Sequence, residues 1–289
     1  MKTSIKIFAL VMTVFIWMDS IASNKTNYQP EPFEVETIGQ GKPILFLPGF
    51  TASGSVWKET VEHLTVERKS YLFSYAGFNG NEPIEMPWYD TIKNGLIDYV
   101  NQNKLTDIIV IGHSMGGNLA VDIAAEFPDR VSKIIIVDAL PFMKDVMMPD
   151  VPIEMLDYDT SYNQQTIAMS DADFLNMATM MASNMATDKE NQETLKKWMV
   201  EADRKTWAYG YTDLLKLDLR PKLSNISCET LIIGASFPDV NMAKANYEKQ
   251  YENLSEKTLI MASDSKHFVM LDEPEWFYKT VNDFLVNGK

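Results

Sequence analysis

A serine between two glycines follows a run of apolar residues, in the order Gly112-His113-Ser114-Met115-Gly116. The apolar run indicates a buried strand, and the residues after the motif indicate a helix. A serine at such a junction sits on a tight, strained turn that lifts its hydroxyl above the sheet. The two glycines stand where side chains would collide across that turn, and the helix directs its first N–H groups at the site. This context predicts Ser114 as a nucleophile, with the Met115 N–H as one donor to the developing oxyanion.

A nucleophilic serine needs a general base, and the chain has three histidines, His63, His113 and His267. A lone loop histidine is more often a surface residue, but His267 follows the last predicted strand, 258–261. Its loop is therefore expected at the carboxyl edge of the sheet, where open parallel sheets place their sites. His113 neighbours the serine, yet adjacent side chains on such a turn diverge, and His63 falls on the first helix as a packing or surface residue. We predict His267 as the base.

Apolar runs alternate with amphipathic segments, which is the pattern of a parallel sheet covered by helices on both faces. The predicted strands are 33–38, 43–47, 69–75, 107–112, 131–137, 231–233 and 258–261. The predicted helices that alternate with them are 55–65, 88–103, 115–127, 241–253 and 273–286. The fold class is therefore α/β, with a doubly wound, mostly parallel sheet.

The alternation stops within residues 141–228, where only helices are predicted. A crossover of about a dozen residues would suffice to join two parallel strands. We therefore interpret 141–228 as an inserted helical segment, here called the cap, and 23–140 together with 229–289 as the core. Capping motifs at Ser170 and Thr187 mark two helix starts, and a third helix is predicted from about residue 203 to 217.

Methionines are concentrated in the cap, which holds ten of the eighteen in the chain. One helical face is predicted to carry Phe174, Met177, Met180, Met181 and Met185. This face is expected to pack on the core, to line a deformable apolar acyl pocket, or to do both, since methionine fills irregular space well.

The first 22 residues have the features of a secretory signal. Lys2 and Lys6 precede an apolar run over residues 7–18, which is shorter than the roughly 20 residues of a membrane span. Ser20-Ile21-Ala22 offers small residues to a signal peptidase, and the chain has no cysteine there to carry a lipid. We predict that residues 1–22 are a signal peptide, that the protein is exported to the periplasm or the medium, and that the mature chain has no stable membrane span.

The amino-acid composition argues against several classes of partner and cofactor. Acidic residues outnumber basic ones by 40 to 26, for a net charge of −14, which argues against nucleic acid as a partner. The single cysteine, Cys228, excludes an internal disulfide, and the widely spaced histidines form no H-E-x-x-H zinc motif. We expect neither a metal nor an organic cofactor.

Taken together, these motifs resemble those of the α/β-hydrolase family over nearly all of the chain that follows the predicted signal. Phe46-Leu47-Pro48-Gly49-Phe50 is similar to the family's oxyanion loop, and Ser265-Lys266-His267-Phe268 resembles its closing histidine loop. The resemblance implies that the Phe50 N–H is the second oxyanion donor, that an aspartate orients His267, and that hydrolysis proceeds through an acyl-enzyme. Because the residue at the turn is a serine, the carboxylate nucleophile of haloalkane dehalogenases and epoxide hydrolases is excluded.

Two aspartates compete as the orienting acid. The family's common position lies three residues past a glycine, after the strand 231–233, where this chain has Phe237 and reaches Asp239 two residues later. The family's alternative position is the end of the preceding core strand, where Asp138 stands. Asp239 also suits a helix N-cap, and Asp138 a capped strand end, so the sequence leaves both open. The true acid must be a buried carboxylate within hydrogen-bond reach of His267 Nδ1.

The function predicted from these residues is a serine carboxylesterase that acts on a small-molecule substrate with a small or medium apolar acyl group. The cap is apolar, and no cationic clamp is evident in the sequence. Two alternatives stay open: a peptidase or amidase of the same fold, and a non-catalytic ligand-binding protein that keeps the fold. The intact Ser114 and His267 argue against the second alternative.

Overall fold

The structure is a computed structural model that describes residues 30–236 and 238–287. Its strands, in chain order, are β1 (Phe33–Gly39), β2 (Pro43–Leu47), β3 (Lys69–Tyr75), β4 (Ile108–His113), β5 (Val131–Val137), β6 (Glu229–Gly234) and β7 (Lys257–Met261). They form one sheet in the order β1-β3-β2-β4-β5-β6-β7. Only β1 pairs antiparallel, with β3, and the other neighbours are parallel. The predicted α/β fold with a mostly parallel sheet is confirmed.

Helices cover the sheet and fill the cap. In chain order they are α1 (Lys58–Glu62), α2 (Trp88–Gln102), α3 (Met115–Glu126), α4 (Met143–Met147), α5 (Ser161–Ala168), α6 (Asp171–Met185), α7 (Lys189–Val200), α8 (Arg204–Lys216), α9 (Val240–Gln250), α10 (Val269–Asp272) and α11 (Pro274–Asn287). Short 3₁₀ helices span Gly54–Trp57, Ile153–Met155 and Arg220–Asn225. Every residue of β2 and β4 is buried, as expected for central strands with helices on both faces.

The helix predicted over 55–65 is shorter than expected. A 3₁₀ turn leads into α1, which ends at Glu62. The side chain of Asn282 on α11 accepts from the Thr65 N–H at 2.8 Å and donates to the His63 carbonyl at 2.8 Å. These contacts take up backbone groups that a longer helix would use, so packing between distant segments ends the helix early.

Five helices, α4 to α8, lie between β5 and β6. Ser170 Oγ caps α6 by accepting from the Asp173 N–H at 3.1 Å, and Asp203 Oδ1 caps α8 by accepting from the Thr206 N–H at 2.7 Å. The sequence predicts the start of α7 at Thr187, but the N-cap of this helix is Asp188. The Thr187 N–H and hydroxyl instead donate to Asp272 in the core, each at 2.8 Å.

An aromatic cluster around Phe50 joins the cap to the core. The Phe50 ring lies 4.9 Å from Phe78 and 5.6 Å from Trp88 on the core side, measured between ring centroids. On the cap side it lies 5.8 Å from Trp207 and 5.9 Å from Tyr211, both on α8. The loop after β2 is therefore held between the core and the cap.

The end of α6 is fastened to the loop that carries His267. Lys266 Nζ donates to the Ser183 carbonyl at 2.6 Å, and the Phe268 N–H donates to the Met185 carbonyl at 3.1 Å. Asp272 accepts from the Lys266 N–H at 2.8 Å and from Thr187. These bonds hold the last turn of α6 and the histidine loop (residues 262–268) in one arrangement.

The predicted signal peptide, residues 1–22, lies outside the described residues. Over 30–236 and 238–287, no helix has the length and apolarity needed to cross a lipid bilayer.

Candidate active site

Ser114 occupies the strained turn that its motif predicts. Its backbone has φ 53° and ψ −122° between β4 and α3, a left-handed φ that non-glycine residues seldom adopt. A Cβ on Gly112 would lie 2.0 Å from the Gly116 carbonyl oxygen, and one on Gly116 would lie 2.0 Å from the Leu47 carbonyl oxygen. Only glycine fits at these two positions, so the tight turn depends on both of them.

The two predicted oxyanion donors come from neighbouring elements at the carboxyl edge of the sheet. Met115 is the first residue of α3, so its N–H lies ahead of the intrahelical hydrogen bonds. Phe50 follows β2, which pairs with β4, in a turn closed by the Ala52 N–H donating to the Gly49 carbonyl at 3.1 Å. Both residues line the same cavity as Ser114.

The structure brings Asp138, and not Asp239, to the imidazole of His267. His267 Nδ1 donates to Asp138 Oδ2 at 2.6 Å, which leaves Nε2 on the other side of the ring. Asp239 caps α9, where its Oδ1 accepts from the Met242 N–H at 2.9 Å. Ser114, His267 and Asp138 all line one cavity, an arrangement suited to a serine, a base and an orienting acid.

Asp138 is held by partners on both carboxylate oxygens. Its Oδ1 accepts from the Ala235 N–H at 2.8 Å and from the hydroxyl of Tyr247. Burial alone would raise the pKa of Asp138. The hydrogen bond and the charge of His267, together with the hydrogen bonds from Tyr247 and Ala235, outweigh burial and hold the pKa below its ordinary value. The carboxylate therefore stays charged beside the imidazole.

The contact of Tyr247 with Asp138 is one that the sequence does not predict. Tyr247 is a buried residue of α9, and burial followed by the nearby Asp138 charge raises its pKa well above the ordinary value, so its hydroxyl stays protonated. Gly234 makes room for the ring, since a Cβ there would lie 2.6 Å from Tyr247 Cε2. A tyrosine on an amphipathic helix usually signals core packing, so the sequence contained no sign of this contact.

His113 is fully buried in the cavity wall, and its hydrogen bond goes to the backbone of the histidine loop. Its Nε2 donates to the His267 carbonyl at 3.0 Å, and its ring lies 4.5 Å from the His267 ring. Burial, aided by His267, lowers the pKa of His113 to about 3, so the ring is neutral and fixes the backbone of the histidine loop. His63 is exposed and stacks on Tyr278 at 4.3 Å, as expected for a packing or surface residue.

A cavity of about 520 Å³ opens over these residues. Among the described residues that line it, none is a lysine, arginine or glutamate, and Asp138 is the one carboxylate. Its walls include seven of the described methionines: Met115, Met143, Met147, Met181, Met185, Met199 and Met242. The cavity therefore offers an apolar, deformable surface next to Ser114.

The face predicted for α6 is partly wrong. Met181 and Met185 line the cavity, but Met180 is 62 % exposed. Phe174 is buried beneath the guanidinium of Arg204, which lies 3.9 Å from its ring centroid. Because side chains three residues apart diverge slightly around a helix, one narrow stripe reaches the cavity and its neighbours do not.

Several known proteins are similar to this chain in sequence and in fold. A family model described as the alpha/beta hydrolase fold matches residues 42–274. A pimeloyl-[acyl-carrier protein] methyl ester esterase of Shewanella oneidensis is 24 % identical, over 92 % of this chain and 99 % of its own length. A protein of the same name from Shewanella woodyi is 29 % identical, over 66 % of this chain and 74 % of its own. Among solved structures, an esterase from Exiguobacterium antarcticum aligns with a TM-score of 0.73 at 22 % identity, covering 88 % of this chain and 95 % of that one.

Proposed function

The chain belongs to the α/β-hydrolase family, and from that premise we propose that it is a serine carboxylesterase acting on small or medium apolar esters through an acyl-enzyme. The observation that carries the proposal is the 2.6 Å contact of His267 Nδ1 with Asp138 in a cavity that also holds Ser114. The names of similar proteins, which include several esterases, support the same class of reaction.

The residues divide the chemistry as follows. His267 Nε2 takes the hydroxyl proton of Ser114 while Oγ attacks the ester carbonyl, and the N–H groups of Phe50 and Met115 stabilise the oxyanion. His267 then returns the proton to the departing alkoxide, which leaves an acyl group on Ser114. A water molecule, activated in the same way by His267, then attacks the acyl-enzyme and releases the carboxylic acid product. Asp138 stays ionised throughout and stabilises the imidazolium.

The charge of the cavity supports a neutral substrate. Transferring an unpaired ionised group into such surroundings is costly, and the described lining offers no cationic side chain to pair with a carboxylate. A volume of about 520 Å³ lies within the roughly 300–1,000 Å³ of small-molecule sites. We therefore expect an ester with a terminal methyl group to be preferred over its isostere with a terminal carboxylate.

The test is a panel of ester and amide substrates on residues 23–289, with Ser114→Ala as the control. The panel includes methyl esters, in view of the names of the relatives. Ser114→Ala is expected to lower kcat by about 10⁶-fold, since the three groups act as a unit. Turnover of that variant near the wild-type rate would overturn the proposal. Amide hydrolysis as fast as ester hydrolysis would place the protein among amidases instead. If the protein neither turns over any substrate nor reacts with a fluorophosphonate label, a binding protein is favoured.

Export is a separate proposal, supported by the sequence of residues 1–22. Cleavage after Ala22 would leave a mature chain that begins at Ser23. N-terminal sequencing of the protein from the producing cell, together with its distribution between cytoplasm, periplasm and medium, tests it. An intact Met1 in a cytoplasmic fraction would contradict it.

A further inference from the structure

The methionines of the cavity differ sharply in their exposure to solvent. Met199 and Met115 are 3 % and 2 % exposed, deep in the wall. Met147 on α4 and Met242 on α9 also line the cavity, yet they are 57 % and 60 % exposed. A side chain that both lines a cavity and meets solvent lies at its mouth, so these two form part of the rim.

Methionine sulfur is oxidised by peroxides where they reach it. The thioether attacks the peroxide oxygen, an S–O bond forms as the O–O bond breaks, and the products are one sulfoxide and one water. The sulfur loses two electrons and the peroxide gains them. The product side chain is polar and chiral in place of a flexible apolar one, so its effect depends on what the original side chain contacts.

Met147 at the rim contacts Tyr211, which also lines the cavity. The hydroxyl of Tyr211 donates to Met147 Sδ at 3.8 Å, a long contact to a weak acceptor. A sulfoxide oxygen is a far stronger acceptor for that hydroxyl. Tyr211 in turn contacts the ring of Phe50, and both rings belong to the apolar wall that an entering substrate meets.

We propose that Met147 and Met242 form an oxidation site at the mouth of the cavity, where conversion to the sulfoxides by a peroxide lowers the turnover of apolar esters. The proposal rests on the esterase function proposed above. Two polar S=O groups at the rim weaken the apolar contacts that a longer acyl or alkyl group makes as it enters. A bound acetate ester makes few of those contacts and is affected less.

The chain provides a matched control. Met155 and Met180 are 66 % and 62 % exposed and lie outside the cavity lining. All four methionines are open to a peroxide, but only two line the cavity. Leucine has a similar volume and cannot be oxidised in this way, so the variants Met147→Leu/Met242→Leu and Met155→Leu/Met180→Leu separate the two pairs.

The experiment treats wild type and both double variants with dilute hydrogen peroxide and locates the sulfoxides by peptide mass spectrometry. For each protein, kcat/KM on octanoate and acetate esters is compared with that of its own untreated form. We expect octanoate kcat/KM to fall by about tenfold in wild type and in Met155→Leu/Met180→Leu. We expect acetate kcat/KM to change by about twofold or less, Met147→Leu/Met242→Leu to be resistant, and methionine sulfoxide reductase to restore the wild type.

Equal losses in Met147→Leu/Met242→Leu and wild type, or protection by Met155→Leu/Met180→Leu, would overturn the proposal. So would unoxidised Met147 and Met242 in a sample whose Met155 and Met180 are fully oxidised. Binding of the neutral fluorophore N-phenyl-1-naphthylamine provides a readout that does not depend on turnover. If no ester is hydrolysed, the esterase function proposed above fails. In that case, weaker fluorophore binding after oxidation of Met147 and Met242 would still support the oxidation site, and unchanged binding would overturn it.

Discussion

At the scale of single residues, the bonds around Asp138 give a sharp test of the orienting acid. Asp138→Asn keeps the shape but not the charge that holds the His267 tautomer, and we expect kcat to fall on the order of 10⁴-fold. Asp239→Asn is the matched control, because asparagine caps a helix about as well as aspartate does; we expect little change in kcat or in stability. Steady-state kinetics and thermal unfolding of the two variants check this. The reverse pattern would reassign the acid to Asp239.

Tyr247→Phe removes one hydrogen bond that lowers the pKa of Asp138. We expect kcat to fall by about 10- to 100-fold, the equivalent of one hydrogen bond to a charged group. A carboxyl with a lowered folded pKa stabilises the fold above its unfolded pKa, and that contribution disappears as pH falls through the folded value. The decrease in the free energy of unfolding that Tyr247→Phe causes should therefore be largest at neutral pH and become smaller below about pH 4.

Urea unfolding at pH 7 and at pH 3 measures the loss in Tyr247→Phe. Tyr251→Phe is a suitable control, because its hydroxyl donates to the Ala139 carbonyl at 2.9 Å and not to the carboxylate. A loss of the same size at both pH values would mean that Tyr247 acts by packing alone.

At the scale of elements, α6 presents one stripe to the cavity. Met181→Ala/Met185→Ala enlarges the cavity beside the acyl group, so the chain-length optimum should shift to longer esters, with each methylene newly buried contributing on the order of 0.8 kcal/mol. Met180→Ala removes the same side chain from the exposed face and should leave the profile unchanged. Values of kcat/KM for a series of ester chain lengths check this. An identical profile in all three proteins would assign Met181 and Met185 to packing.

The elements that the sequence predicts well are those whose signal is local. The strands 43–47, 69–75 and 131–137 match their predicted bounds, because continuous apolar runs between turn residues mark buried strands. The bounds that differ reflect distant contacts. Asn282 accepts from the Thr65 N–H, 217 positions away, and so ends α1 early. Asp272 accepts from the Thr187 N–H, and the start of α7 is shifted by one residue.

The site divides in the same way. Ser114 is marked by the two glycines that its turn requires, and His267 by its place after the last strand. The choice between Asp138 and Asp239 depends on how the end of β5 meets the histidine loop, a contact between residues 129 positions apart. Tyr247 reaches Asp138 across 109 positions. No local pattern encodes either contact, so one acid stayed undecided and one supporting residue was missed. The signal peptide remains a prediction.

At the scale of the whole molecule, the buried core runs without a break from the sheet into the cap. It includes Phe46 and Ile111 of the sheet and Phe174, Leu195 and Trp207 of the cap. We therefore expect the cap and core to unfold together, in one calorimetric transition whose enthalpy equals its van't Hoff enthalpy.

Trp207→Ala should lower the free energy of unfolding by about 3–5 kcal/mol and keep the single transition. An exposed substitution on the same helix, Lys205→Ala, is the control. Two separate transitions in the wild type, one of them moved by Trp207→Ala alone, would show that the cap unfolds independently.

The place of the acid also has a consequence for how this scaffold can change. Asp138 follows directly after β5, a central strand of the sheet, whereas Asp239 caps α9 by accepting from the Met242 N–H. The connection between β6 and α9 therefore does not need to position a carboxylate beside His267, although Pro238 still borders the cavity. Ser236 has to be kept, because its hydroxyl donates to the Ser265 carbonyl of the histidine loop at 3.2 Å. A library that randomises residues 237–239 could then be screened for new substrate ranges while the Asp138–His267 pair stays in place.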